Sequence, residues 1–597
     1  MHLLGYPGTA SRLARVQYAL VVVASALPLV YAYQSPPQPA FYAQWLCLLL
    51  WWIVGACLFV APAPATGHTK PQRGWHVAVL GALIVVVVVF ALLVLAHVAF
   101  GLTPAFVAFP TLAALATMLL CCAAIARLSA RSLEVVFSAV CVGLALAAVL
   151  NVVTSVLQIV APSLHHPFWI AEAAGDRPYG NLRQPNLFAL LLIWGAICAA
   201  YLFNVPGRAR IALGAIVAIF AVALWASNSR SGWLAAALCA TAFLGYVWRR
   251  RASADRSKIF RTRFLVCAAI LLAACTLVLL AMTLQAGAHT SNSEDVRALS
   301  VAQRITLWNN VVALISSQPW LGVGYGQLSF AWMLTPLNPR ASDLFDHAHN
   351  APLHLAVELG IPLAAALMVA LVWIVGYASL RSRAPWRIAA LMMLLAAATQ
   401  SLFEYPLWFA FFAIPSVVVL ALLCASASRA TADAGAQKTN TRVQSAPETI
   451  RRGPLAVALM LCAGGLLIAL WALNGYRAVS EIYASARDPQ VALARAETAS
   501  KHAIYGHYGD YAQIMLLGDT APLTLFSRPI RATLDDRLLT AWARAYERAN
   551  DTARAQYLVD RAREFAPFPS QTNLPLLPAL PTLPASAANR LRATDFK

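Results

Sequence analysis

The amino-acid sequence predicts an all-α, polytopic transmembrane protein of about thirteen spans, with a large outer loop and a C-terminal helical domain. Three observations predict this. Of the 597 residues, 60% are hydrophobic and only 11% are charged. Together with a mean hydropathy of +0.67, this lies far outside the composition of soluble domains. The apolar residues also come in runs, such as 77–100 and 264–284, each long enough to cross about 30 Å of hydrocarbon as a helix. Finally, Lys and Arg gather in short segments between alternate runs, as the positive-inside bias requires.

In chain order the spans are expected near 16–32, 41–61, 77–100, 104–126, 135–160, 186–203, 211–227, 232–248, 264–284, 353–380, 388–403, 407–425 and 454–473. With the N-terminus inside, the inner segments hold Lys70 and Arg73, Arg127 and Arg131, Arg208 and Arg210, and the basic stretches 249–263, 381–387 and 429–452. The outer connections 34–40, 101–103 and 404–406 hold no Lys or Arg, and Arg230 is the single exception among the short outer loops. The first span, preceded by Arg12 and Arg15, reads as an uncleaved anchor, because Val30-Tyr31-Ala32 is a weak cleavage site. A net charge of +20 is thereby explained without nucleic acid, since no basic face is needed to account for it. The eleven cysteines all fall in apolar segments without ligand or disulfide spacing, and read as small membrane-core residues.

The expected organisation is an N-terminal set of transmembrane helices (1–150), followed by a catalytic membrane region (151–425) with outer loops 161–185 and 285–352. An inner Ala/Ser/Thr-rich linker (426–453), a last transmembrane helix (454–473) and an outer helical domain (474–597) complete the chain. Within that domain, 538–549 and 552–565 form a helix pair broken at Asn550-Asp551, similar to half of a tetratricopeptide-type repeat but without a period that would make an array.

This topology brings the informative polar segments to one side: GDRPYGNLRQPN at 175–186, SNSRSGW at 227–233, RITLWNN at 304–310, DHAHN at 346–350, and Glu404-Tyr405-Pro406. Such residues are costly at a membrane edge unless they line a wet cavity, so their shared placement points to a site. Arg230 either snorkels to headgroups or offers a bidentate fork to a phosphate. Arg304 opens an amphipathic helix with Ile305, Trp308, Val312 and Ile315 on one stripe, and is either solvated there or faces the same phosphates. His349 can accept a proton near neutral pH, as activation of a hydroxyl requires. It can equally cap the following span together with Asn350 as N-cap. Asp346, His347 and His349 form a possible but incomplete ligand set for a metal. Asn181, Gln184 and Asn186 can recognise sugar hydroxyls or cap a helix, with Pro185 in its first turn.

In this order, YGNLRQPN, SRSGW, RITLWNN, HAHN (347–350) and SLFEYPLWF (401–409) resemble the bacterial protein O-oligosaccharyltransferases. These pilin-glycosylation ligases belong to the O-antigen ligase and polymerase superfamily. The resemblance covers roughly 150–425, and the end of the chain looks like the extra domain of the protein-glycosylating branch. It implies a multi-pass protein of the bacterial inner membrane, facing the periplasm, that transfers a glycan from undecaprenyl diphosphate to Ser or Thr of a pilin-like or other periplasmic protein, with no metal or cofactor. It also implies catalytic roles for His349, Arg230 and Arg304. Gln184 and Tyr405 match functional residues of the branch, and Arg183, Asn186, His347 and Asn350 are expected to bind substrate. The family's His-Asn, nine residues, Gly pattern is met by His349, Asn350 and Gly360, although Leu363 stands where a small residue is frequent.

The rival readings are a glycan ligase acting on lipid A core, an O-antigen polymerase and, in another class, a lipid-linked glycan transporter. A transporter predicts charged residues at mid-span depth and an inverted repeat, and the sequence shows neither. A scaffold built on the C-terminal helices would leave the outer cluster without a purpose.

Overall fold

A computed structural model describes residues 12–60, 77–172, 177–203, 209–252, 301–341, 344–380, 384–436, 452–484, 488–533, 535–565 and 593–596. Helices α1 (Arg12–Val30), α2 (Phe41–Phe59), α3 (Val77–Ala99), α4 (Ala105–Ile125), α5 (Ala130–Val160), α6 (Pro185–Leu202), α7 (Ala209–Ala226) and α8 (Arg230–Ala252) run through the N-terminal half. Next come α9 (Val301–Ser317), α10 (Leu328–Leu334), α11 (Ala351–Leu359), α12 (Ile361–Leu380), α13 (Pro385–Ser401), α14 (Ala410–Ala436) and α15 (Arg452–Ile482). Two hairpins, α16 (Pro489–Ser500) with α17 (Gly506–Leu517) and α18 (Asp536–Arg548) with α19 (Thr552–Glu564), follow.

Among the described residues, nine helices are long and apolar enough to cross a membrane. Within hydrocarbon only a helix or a closed barrel satisfies every backbone group, and these sequences, apolar on all faces, pack helix on helix around α14 and α5. Helices α7, α8 and α13 coincide with further expected spans, and the expected span 264–284 lies outside the described residues. The nine described cysteines are free thiols. Cys267 and Cys275 lie outside the described residues.

Two expectations are corrected. The span expected at 353–380 is two helices, because Gly360 takes φ +83° between α11 and α12. Helix α14 continues to Ala436, into the stretch expected to be a linker.

The connections expected on the outer side meet at one end of the bundle. Ala32 N–H donates to Phe168 O (3.0 Å), and the Tyr476 hydroxyl donates to Ser35 O (2.8 Å). Asn151 of α5 donates to Leu29 O (3.0 Å) and accepts from Asn181 N–H (2.9 Å). Tyr325 N–H donates to His97 Nδ1 (3.0 Å).

The C-terminal hairpins sit at this same end and share one hydrophobic core with α9, α10 and the loop leading to His349. Arg340, nearly fully buried, pairs with Glu564 (2.8 Å). Tyr557 donates to Leu334 O (2.5 Å), and Arg531 donates to Gln327 Oε1 (2.6 Å) and Leu102 O (2.7 Å). The break between α18 and α19 is as expected: Asn550 adopts φ +61° and Asp551 caps α19 by accepting from Arg554 N–H (3.1 Å).

Candidate active site

Three segments converge on His349. Helix α9 supplies Arg304, and its Trp308 holds the loop 345–350 by donating to Ala348 O (3.1 Å). That loop supplies His347 and His349. The turn after α13 supplies Glu404 and Tyr405, and Asn350 fastens it by donating to Leu402 O (3.1 Å). The Asn350 oxygen meanwhile caps α11, accepting from Leu353 N–H (3.0 Å). Asn350 therefore does what its sequence context allows, a helix cap, and also ties two site segments together.

The central contact is a carboxylate between a guanidinium and an imidazole. Glu404 Oε1 lies 2.5 Å from Arg304 Nη2, and Glu404 Oε2 lies 3.3 Å from His349 Nδ1. The Glu404 side chain is only 3% exposed, so this is an enclosed pair rather than a surface one. The Tyr405 ring stands edge-on to the His349 ring, with centroids 5.2 Å apart. The ring of His347 lies 3.5 Å from Tyr405 and 4.2 Å from His349 by centroid. Gln184 is the N-cap residue of α6, but its side chain makes no capping bond and donates to the Tyr405 hydroxyl instead (3.3 Å).

Electrostatics follow from burial. Desolvation lowers the His349 pKa from its ordinary 6.5, helped by His347 and Arg304, while Glu404 opposes it. Burial, with the nearby Asp346 and Glu404 charges, raises the Tyr405 phenol. Below the site, on α11, His354 and Glu358 lie 3.5 Å apart. Burial pushes Glu358 up to about 8 and His354 down to about 4, disfavouring the charged form of each.

The segments carrying Arg183, Asn186 and Arg230 reach the site through neighbours. Ser229 donates to Asn186 Oδ1 (2.7 Å), which joins the start of α8 to the start of α6, two residues from Gln184. Arg230 is the first residue of α8 and is exposed; Arg183 is exposed with φ 52°. Neither contacts the His349 cluster. His349 (φ 46°) and Asn228 (φ 50°) share the left-handed backbone with Arg183. Such conformations cost energy outside glycine and concentrate at functional sites.

Several expectations change. Asn181 is buried and serves the fold, its oxygen accepting from Ala171 N–H (3.0 Å) and its amide donating to Trp169 O (2.8 Å). The buried stripe of α9 is Leu307, Val311, Leu314 and Ile315, whereas Ile305 and Val312 are about half exposed. The cause is the C-terminal domain, which covers the face that a free interfacial helix would leave open. Arg304 is neither simply solvated nor uncommitted, because Glu404 holds it. Asp346 pairs with His347 rather than converging with it on His349, and no cluster of three or more His, Cys, Asp or Glu fit to hold a metal occurs among the described residues. His347 and His349, two residues apart, would diverge on a helix, but this segment is not helical and their rings are adjacent. The residue without an assigned role was Glu404; its signal was a lone acid at an outer span end, in a turn shared with Tyr405.

Three family models match the chain: O-Antigen ligase over 215–368, Protein glycosylation ligase over 178–203, and Virulence factor membrane-bound polymerase, C-terminal, over 386–571. The first contains Arg230, Arg304 and His349, the second Gln184, and the third Tyr405. Each matched stretch is less than half of the chain, and over these stretches the chain is similar to O-antigen ligases and protein glycosylation ligases. It is 25% identical over 288 residues to a general O-oligosaccharyltransferase of Acinetobacter baylyi (strain ATCC 33305 / BD413 / ADP1), a match covering 48% of this chain. The match spans about half (49%) of that relative's length.

Proposed function

We propose that the protein is an O-linked oligosaccharyltransferase that moves a glycan from undecaprenyl diphosphate to Ser or Thr hydroxyls of pilin-like or other periplasmic proteins. The observation that carries this reading is the contact of Gln184 with Tyr405 beside His349. It supports the reading because the resemblance assigns functional roles to Gln184 and Tyr405, and Tyr405 is in ring contact with the proposed base. The Acinetobacter relative supports the same reaction class.

The acceptor hydroxyl gives its proton to His349 as its oxygen attacks the anomeric carbon. The bond from that carbon to the diphosphate oxygen breaks, and the electron pair leaves with undecaprenyl diphosphate. Guanidinium donors suit the charge growing on the leaving group. Arg230, exposed at the first residue of α8, is available for this role, as are the nitrogens of Arg304 that Glu404 does not hold. Gln184, Arg183, Asn186, His347, Tyr405 and Asn350 line the approach or brace it. The side chains present account for acid–base and charge-stabilising roles, and we infer that no metal takes part. The positive-inside pattern supports an inner-membrane protein whose site faces the periplasm.

Reconstitution with a lipid-linked oligosaccharide, offering a pilin-like protein and lipid A core side by side, tests the acceptor. Transfer to the protein supports the proposal. Transfer to lipid A core, or chain growth on the donor, replaces it with the ligase or polymerase reading. Activity lost to a chelator and restored by zinc or manganese would end the metal-independent reading.

A further inference from the structure

We propose that Glu404 is a positioning residue of this reaction: clamped on one side by Arg304, it holds the His349 ring so that Nε2 is the atom that takes the proton. The inference rests on the reading of His349 as the base.

An ionised carboxylate is an acceptor only, as a guanidinium is a donor only. Arg304 occupies Oε1 at 2.5 Å, which leaves Oε2 for the imidazole, 3.3 Å from Nδ1. An acceptor at that place requires the hydrogen on Nδ1. In the neutral ring the lone pair is then on Nε2. The ring plane is fixed from other sides as well. Tyr405 meets it edge-on at 84°, Phe345 meets it edge-on at 85° and 6.2 Å, and the backbone of His349 is held at φ 46°. Glu404 thus receives instructions from α9 and passes them to the loop, which neither residue pair would do alone.

A glutamine at this position makes the argument testable, because an amide is not symmetric. Arg304 can only donate, so it takes the amide oxygen and turns the NH₂ towards His349. Nδ1 must then accept and Nε2 must carry the hydrogen, which blocks the proposed base atom. Removing the carboxylate also removes the partner that favours the imidazolium, leaving burial, His347 and Arg304 to disfavour it. The His349 pKa falls further, and the acid limb of the rate profile moves to lower pH.

The test uses full-length protein in liposomes with the lipid-linked donor, measured over single turnovers from pH 4.5 to 8. Glu404→Gln is expected to slow transfer roughly 10²–10⁴-fold, the range of a general base, with donor binding retained and the acid limb displaced downwards. Glu404→Asp, which keeps two equivalent oxygens, is expected to regain much of the rate with the limb near that of the wild type. A fully active Gln variant overturns the proposal. So do Gln and Asp variants equally slow with unmoved limbs, since that outcome describes packing alone. The wild type run beside them isolates the reaction class. Should it transfer only to lipid A core, the protein acceptor is wrong, and the variants are judged on that acceptor by the same criteria.

Discussion

Burial and the Glu404 carboxylate pull the His349 imidazole in opposite directions, and burial is the larger effect. The base must be neutral to act, so activity is lost as pH falls through the folded pKa, which lies below 6.5. The acid limb of transfer is therefore expected to be centred below pH 6.5; a limb centred above 6.5 would contradict this. His349→Ala is expected to lower transfer by roughly 10²–10⁴-fold while insertion and donor binding persist. His347→Ala should cost less, because its nitrogen pairs with the exposed Asp346. The reverse ranking would move the base to His347. At the arginines, Arg230→Lys and Arg304→Lys should both impair transfer, since an ammonium lacks the planar fork. Full activity in both lysine variants would reduce them to anchors. These residue types were legible in the sequence, because basicity and fork geometry belong to the side chain. The pairing of Arg304 with Glu404 was not, because the two are far apart in the chain and on different elements, and only packing sets their distance.

Elements were read most reliably where the sequence is apolar throughout, since a run such as 77–100 has no stable alternative to a helix in hydrocarbon. The reading failed where a tertiary neighbour decides. Continuous hydropathy over 353–380 hid the break at Gly360, whose Cβ position would fall onto the Trp320 carbonyl. There, Ile361 N–H donates to Pro319 O (2.8 Å) and Val323 N–H to Val357 O (2.8 Å). Strands of loop thus wrap α11, the helix that begins directly after His349 and Asn350. An alanine at 360 meets both an unfavourable φ of +83° and backbone atoms that cannot give way. Gly360→Ala is expected to destabilise the outer region by at least ~1–3 kcal/mol and to impair transfer without touching a side chain of the cluster. Hydrogen exchange over 318–328 and 350–360 is the measurement that checks it. Unchanged protection there would show that the loop does not depend on this turn.

At the scale of the whole molecule, the C-terminal domain is part of the site's foundation rather than an appendage. It completes the core that supports α9, the helix that presents Arg304, and Arg531 reaches across to the connection between α3 and α4. This arrangement also fixes sidedness: a domain sharing a core with the loop that carries His349 must lie on the same side of the membrane as that loop. Reporters fused after Asp519 and within the loop at Arg340 should consequently give the same, periplasmic signal, and one at Ala436 the cytoplasmic one. The linkage between domain and loop is sharpest at Arg340. Its side chain is 3% exposed, donates to Trp332 O (2.6 Å), pairs with Glu564 and stacks 4.4 Å from the Phe565 ring. Removing the partner of the buried Arg340 leaves its charge uncompensated; with Glu564 itself a quarter exposed, the cost is expected at or below the lower end of about 3–5 kcal/mol. Glu564→Ala should therefore loosen the α18–α19 hairpin from the loop, expose it to protease, and lower transfer although the substitution is made on a different domain from His349. Arg340→Met with Glu564→Leu, which replaces the pair by apolar contact, should restore protection and much of the rate. Should the single variant lose protection yet keep full transfer, the domain would be dispensable to α9, and its packing against the loop would serve only to hold the acceptor side of the protein in place.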